Sequence, residues 1–127
     1  MALSSIKTDL FNRLEGLVGL PDIYYPNIDS VEPDGEYIKP DILPINTIPV
    51  AMATTDKEAG IFQVLIYIEK GAGEIKAADY AALILAGFSR NLNLTNVRVE
   101  STGSVGAVFY SGGKQVTPVT INYLKIG

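Results

Sequence analysis

Ser4 and Lys7 stand at the Ser-x-x-Lys spacing, in which a lysine can deprotonate a serine for nucleophilic attack. They fall at the start of an expected helix, where a serine capping a backbone N–H explains the residue without catalysis. The chain has no histidine and no cysteine, which removes the Ser–His arrangement, thiol chemistry, disulfides and Cys-ligated metal. The acidic series Asp29, Glu32, Asp34, Glu36 and Asp41 carries oxygens a hard cation could use, but its spacing fails the calcium-loop template. It reads as a solvated loop; the sharper alternative is an acidic surface that meets a basic partner or repels nucleic acid. Gly71-x-Gly73 and Gly103-x-x-Gly106 lack the phosphate-loop pattern between a strand and a helix, and read as turns. The seven tyrosines could stack on bases, but stacking platforms come with basic grooves. Tyr37, Tyr67, Tyr110 and Tyr123 fall in expected strands and read as core-edge or interface residues. No catalytic, cofactor-binding or metal-binding residue is assigned, and no cofactor is expected.

The elements that would have to position any site come next. With 127 residues, 47% hydrophobic and 19% charged, the chain predicts one globular domain over 1–127. The net charge of −4 argues against a non-specific grip on nucleic acid, which needs clustered Lys and Arg. The N-terminus lacks a signal-peptide pattern, and the longest apolar run, Ala81 to Phe88, is far shorter than a membrane span. The expectation is a soluble, intracellularly made protein with no membrane partner.

Gly60 to Lys70 is the expected centre of a sheet. Phe62, Val64, Ile66 and Ile68 alternate as a wholly apolar set, while Ile61, Gln63, Leu65, Tyr67 and Glu69 form a mixed one. Ile6, Leu10, Leu14 and Leu17 form the stripe of an amphipathic first helix, with Ser4-Ser5 as its cap and Asp9 near its positive end. A second helix is expected from Glu74 to about Phe88, apolar over more than half its circumference, with Leu83 inside the polar arc. It would cover the Phe62/Val64/Ile66/Ile68 face. Strands are expected at Tyr24-Tyr25, at Glu36–Leu43 and, as a closing meander, at Val97–Ser101, Val105–Tyr110 and Gln115–Ile126. Pro40 and Pro118 each mark an edge or a bulge. The predicted fold class is α+β: a single mostly antiparallel sheet of about five strands with two helices packed on it.

Residues 44–59 form a sixteen-residue connection, long for a compact domain. They read as a ragged hairpin or as an arm that packs on another subunit. The interface candidates are Ile45, Ile48, Val50 and Met52 in this arm, with Leu83 and Tyr67 elsewhere; Ile48→Asp or Met52→Asp is expected to impair assembly while leaving the fold intact.

Several pieces in order carry a resemblance: Tyr25-Pro26-Asn27, Pro33-Asp34-Gly35-Glu36-Tyr37-Ile38, Gly60-Ile61-Phe62-Gln63-Val64, the alanine-rich helix, Val97-Arg98-Val99 and Val116-Thr117-Pro118-Val119-Thr120-Ile121-Asn122-Tyr123. From Ile6 to Tyr123 the chain resembles the phage tail-terminator family of long-tailed phages. The resemblance implies a structural, non-enzymatic virion protein. Copies would close into a ring, typically a hexamer, at the head-proximal end of the tail. The ring would cap the tail tube protein, stop its polymerisation and join a head-neck connector protein, with DNA only passing through the channel. Assembly would take place in the host cytoplasm. The alternatives are another neck, head-completion or tube protein on a similar scaffold, or a small-ligand-binding α+β domain.

Overall fold

The computed structural model describes residues 2–25, 35–44, 48–49, 56–57, 59–69, 74–95, 97–100 and 102–125. Helix α1 spans Ala2–Glu15, and Ile6, Leu10 and Leu14, four apart, are buried along it. It starts earlier than the serines suggest. Ala and Leu are good helix formers and carry the helix back to Ala2, so Ser4 and Ser5 lie inside the first turn instead of preceding it. Asp9 falls outside that turn.

Among the described residues, nine strands and a second helix follow. The strands before the helix are β1 (Asp22–Ile23), β2 (Tyr37–Pro44), β3 (Ile48–Pro49), β4 (Asp56–Lys57) and β5 (Ala59–Glu69). After α2 (Glu74–Gly87) come β6 (Val97–Val99), β7 (Ser104–Val105), β8 (Phe109–Ser111) and β9 (Lys114–Lys125). The main sheet has seven strands in the order β1-β2-β5-β9-β6, with β7 and β8 also on β9; β3 and β4 form a separate ribbon. The expected single, mostly antiparallel sheet of about five strands is therefore corrected in its strand number, seven, and in two details of pairing. Strand β1 runs parallel to β2, which makes the sheet mixed, and it lies two residues before the expected Tyr24-Tyr25. The predicted closing meander is also absent, because β6, β7 and β8 lie end to end along a single edge of β9.

The register gives the reason. Val99 faces Tyr123 and Ser104 faces Thr120, so four residues on the outer strand span two on β9. Val105 faces Val119 and Phe109 faces Val116, so three span two. These extra residues break one would-be strand into three pieces by bulging. Pro118 lies opposite the second break, with its carbonyl accepting from the Gly106 N–H at 2.8 Å. Its missing donor therefore faces the bulge, as a proline inside a sheet must. At the other end, Ser111-Gly112-Gly113-Lys114 closes tightly with φ of 58° and 80° at the two glycines, the primed turn that suits hairpin twist.

Both helices lie on one side of the sheet. Phe62, Val64, Ile66 and Ile68 of β5, Ile38 and Ile42 of β2, and Val119, Ile121 and Tyr123 of β9 form one buried cluster. Ile6, Leu10 and Leu14 of α1 and Ala77, Ala81 and Ile84 of α2 join it. Gly60 faces Tyr123 across the strands, and a Cβ there would run into the tyrosine ring. Thr117 and Gln115 continue the same face beside Ile66 and Ile68, buried, with Thr117 Oγ1 and Gln115 Nε2 lacking hydrogen-bond partners.

Candidate functional site

Among the described residues, no helix lies on the opposite face of the sheet. α1 packs on the same side as α2, so it does not cover Ile61, Leu65 and Tyr67. The strand register lays this open face out in rows. One row reads Tyr37, Tyr67, Val116 and Phe109; the next reads Lys39, Leu65 and Pro118; then come Asp41, Gln63, Thr120 and Ser104; and Leu43, Ile61 and Asn122 follow. Leu65 and Ile61 are half-buried, while Leu43 and Phe109 remain 43% and 45% exposed.

One end of the face is tied up within the subunit. The Tyr37 and Tyr67 rings stack with centroids 4.5 Å apart at 9°, and Tyr24 meets Tyr37 edge-on at 5.5 Å. Lys114 Nζ lies 4.5 Å over the Tyr37 ring and Lys39 Nζ lies 5.4 Å over Tyr67, distances at which a cation is attracted to the ring face. The Lys114 ammonium also donates to the Gly35 carbonyl at 3.0 Å. Tyr67 is consequently only 8% exposed, so its neighbours Leu65, Ile61 and Phe109 offer more contact area than the tyrosine does. Ser111 and Lys114 make a second Ser-x-x-Lys pair. They are partners flanking the hairpin turn, and the lysine is held by Gly35 and Tyr37.

A second apolar surface lies on the outer side of α2. Ala77, Ala81, Ile84 and Phe88 are buried, but Ile75 is 79% and Leu83 40% exposed, and Ala78, Ala82 and Ala86 are exposed with them. The wide apolar arc read from the sequence is thus only half used by the core, which is unusual for a helix apolar on most sides. Leu83 sits against the turn after α1: a Cβ on Gly19 would lie 3.3 Å from Leu83 Cδ1. The neighbouring Val18 is 87% exposed. A third apolar strip is Val105, Val108, Phe109 and Tyr110 on the bulged outer strand, 39% to 63% exposed.

The arm candidates divide. Ile45, Val50 and Met52 lie outside the described residues, as do Asp29, Glu32, Asp34, Gly71 and Gly73 of the motif reading. Ile48 is in β3, paired with Lys57. Pro44 faces Gly60 in the main sheet, and Ile48 faces Lys57 in the separate ribbon.

Polar side chains gather at two places. Glu36 accepts from the Tyr80 hydroxyl at 2.9 Å and pairs with Lys76 Nζ at 2.8 Å, joining the start of β2 to α2. Burial pushes the Glu36 carboxyl upward, but the bonds from Lys76 and Tyr80 outweigh it and hold the group below the usual carboxylate range. Burial and the Glu36 carboxylate raise the Tyr80 hydroxyl. An open groove of about 630 Å³ lies between Asp9, Asn12 and Arg13 of α1 and the Asn93–Thr95 turn; Arg13 Nε donates out of it to the Gly87 carbonyl at 2.8 Å. Among the described residues no group of three or more Asp, Glu, His or Cys side chains is placed to hold a metal ion, and no helix is long and apolar enough to cross a membrane.

No curated protein sequence matches the chain. A solved structure is similar over 98% of this chain and 92% of its own, with a TM-score of 0.73 and 24% identity, a likeness that concerns the fold. The family model for phage tail terminator proteins matches residues 5–123, nearly the whole chain. By that match this chain belongs to the phage tail terminator family, a family of structural components of the virion tail.

Proposed function

We propose that the chain is the tail terminator subunit itself, acting as one domain over its whole length. Copies close into a hexameric ring at the head-proximal end of the tail. The ring caps the last layer of tail tube protein, stops tube polymerisation and presents the surface that a head-neck connector joins. DNA passes through the channel without being gripped, which suits a chain of net charge −4. Assembly takes place in the host cytoplasm.

The observation that carries this reading is the family match over residues 5–123. The surface supports it. A ring is built from heterologous contacts, so each subunit needs two different sticky patches. The open sheet face and the outer side of α2, with Leu83 and Val18, are two such patches on opposite layers. The arm that contains Ile45, Ile48, Val50 and Met52 adds reach toward a neighbour.

Removing the protein from its phage tests the reading. Electron micrographs are expected to show overlong tubes and tails without heads. Head-joined tails of normal length would overturn it.

A further inference from the structure

Among the described residues, β2 has an outer edge that no strand fully covers. Strand β1 pairs only with Tyr37 and Ile38, and no other described strand of the main sheet lies beside the outer side of residues 39–44. Which residues turn outward follows from one bond. The Tyr24 N–H donates to the Ile38 carbonyl at 2.8 Å, so Ile38 directs its backbone groups away from β5. In an extended strand that direction repeats at every second residue, which puts Pro40, Ile42 and Pro44 on the outward side. Two of these three are prolines and have no N–H to offer. The third donor is already engaged: the Ile42 N–H donates to Oδ1 of its neighbour Asp41 at 2.8 Å. Past Ile38, the edge therefore presents carbonyl acceptors and no free donor.

We propose that the β2 edge is built to refuse strand addition. A strand arriving there would bury its own inward carbonyls against Pro40, Ile42 and Pro44 and find nothing to bond them, and an unpaired buried backbone group opposes docking. Prolines and charged residues on edges are the usual protection against edge-to-edge association; here a carboxylate bonded to the backbone closes the remaining gap between two prolines. Another chain meeting this flank, whether a second copy or a different protein, is met through side chains rather than through backbone pairing. This holds whatever the protein assembles with.

Two measurements on the full chain test it. Amide hydrogen exchange is expected to show the Ile42 N–H protected in the native protein. Asp41→Ala should speed its exchange by about fivefold or more, the size of one lost hydrogen bond, while the Ile38 and Phe62 amides stay as they were. An Ile42 amide that already exchanges freely in the native protein would overturn the proposal. The second measurement opens the edge with Pro40→Val, Asp41→Val and Pro44→Val together. Asp41→Val with Pro44→Val alone serves where loss of the buried Pro40 prevents folding. Light scattering and a dye that reports stacked strands should show concentration-dependent, open-ended association of the opened variant where the native chain shows none. Opened variants that fold and match the native chain in size and dye response at every concentration would overturn it.

Discussion

The two faces of the sheet are made by the same strands, from residues one position apart, and they end up in different states. Phe62, Val64, Ile66 and Ile68 are fully buried beneath two helices, whereas Ile61, Gln63 and Leu65 remain half-buried with no helix among the described residues over them. The difference is one of composition before it is one of packing. The first set has no polar atom to satisfy, so a helix can close over it at little cost. The second alternates with Gln63, Lys39, Asp41 and Glu69, whose polar groups need water or a partner. It can be left wet in a free subunit and still carry enough apolar area to be covered later. A mixed strand face of this kind stays solvated in the free subunit, whereas a wholly apolar one must be closed from within.

Substitutions on the closed side carry the largest expected effects. Phe62→Ala removes a fully buried ring and is expected to cost about 3–5 kcal/mol, enough to unfold much of a marginally stable protein; chemical denaturation reads it directly. Gly60→Ala places a methyl against the Tyr123 ring and is expected to cost about 1–3 kcal/mol through overpacking. Thr117→Val sharpens the same side in the opposite direction. The Thr117 hydroxyl is buried without a hydrogen bond, so the isosteric change should raise stability by about 1 kcal/mol.

On the open side the expected changes in stability are small and those in assembly are large. Phe109→Asp should alter the denaturation midpoint of the free subunit by about 0.5 kcal/mol or less, as exposed positions do, yet prevent capping of tubes. If Phe109→Asp unfolds the subunit as Phe62→Ala does, the two faces are not distinct in the way argued. The smallest effect concerns pH. Glu36 has a folded-state pKa below its ordinary value, so its pairing adds stability above the ordinary carboxylate range and loses it as pH falls through the lowered value. Glu36→Gln should melt lower than the native chain at neutral pH, and the gap should close in acid. A gap that widens in acid would contradict the assignment.

Much of the closed side was readable in the sequence, because it is written in local periodicity. The spacing of Ile6, Leu10 and Leu14 and the alternation in 60–69 and 115–124 hold in the structure because each element buries the face its own pattern defines. What lay out of reach depends on pairing between distant segments. The extra residues at 100–103 and 106–108 are invisible until Tyr123 and Val116 set the count on β9. The parallel start of β2 beside Asp22 and Ile23 has no local signal either. The exposure of Ile75, Ala78 and Ala82 could have been suspected from a helix apolar on most sides, but which half stays open is decided by where the sheet lies. Of the surface candidates, Leu83 is exposed as its place in the polar arc suggested. Tyr67 is instead held within a ring stack that only the β2–β5 register brings together.

Hydroxyl-radical footprinting of the free subunit against the subunit on capped tails tests the central claim most directly. The account predicts that Leu43, Ile61, Leu65 and Phe109 on the open face lose reactivity on assembly, while the buried Phe62 and Phe88 are unreactive in both states. Open-face residues that stay as reactive on the tail as in the free subunit would contradict it.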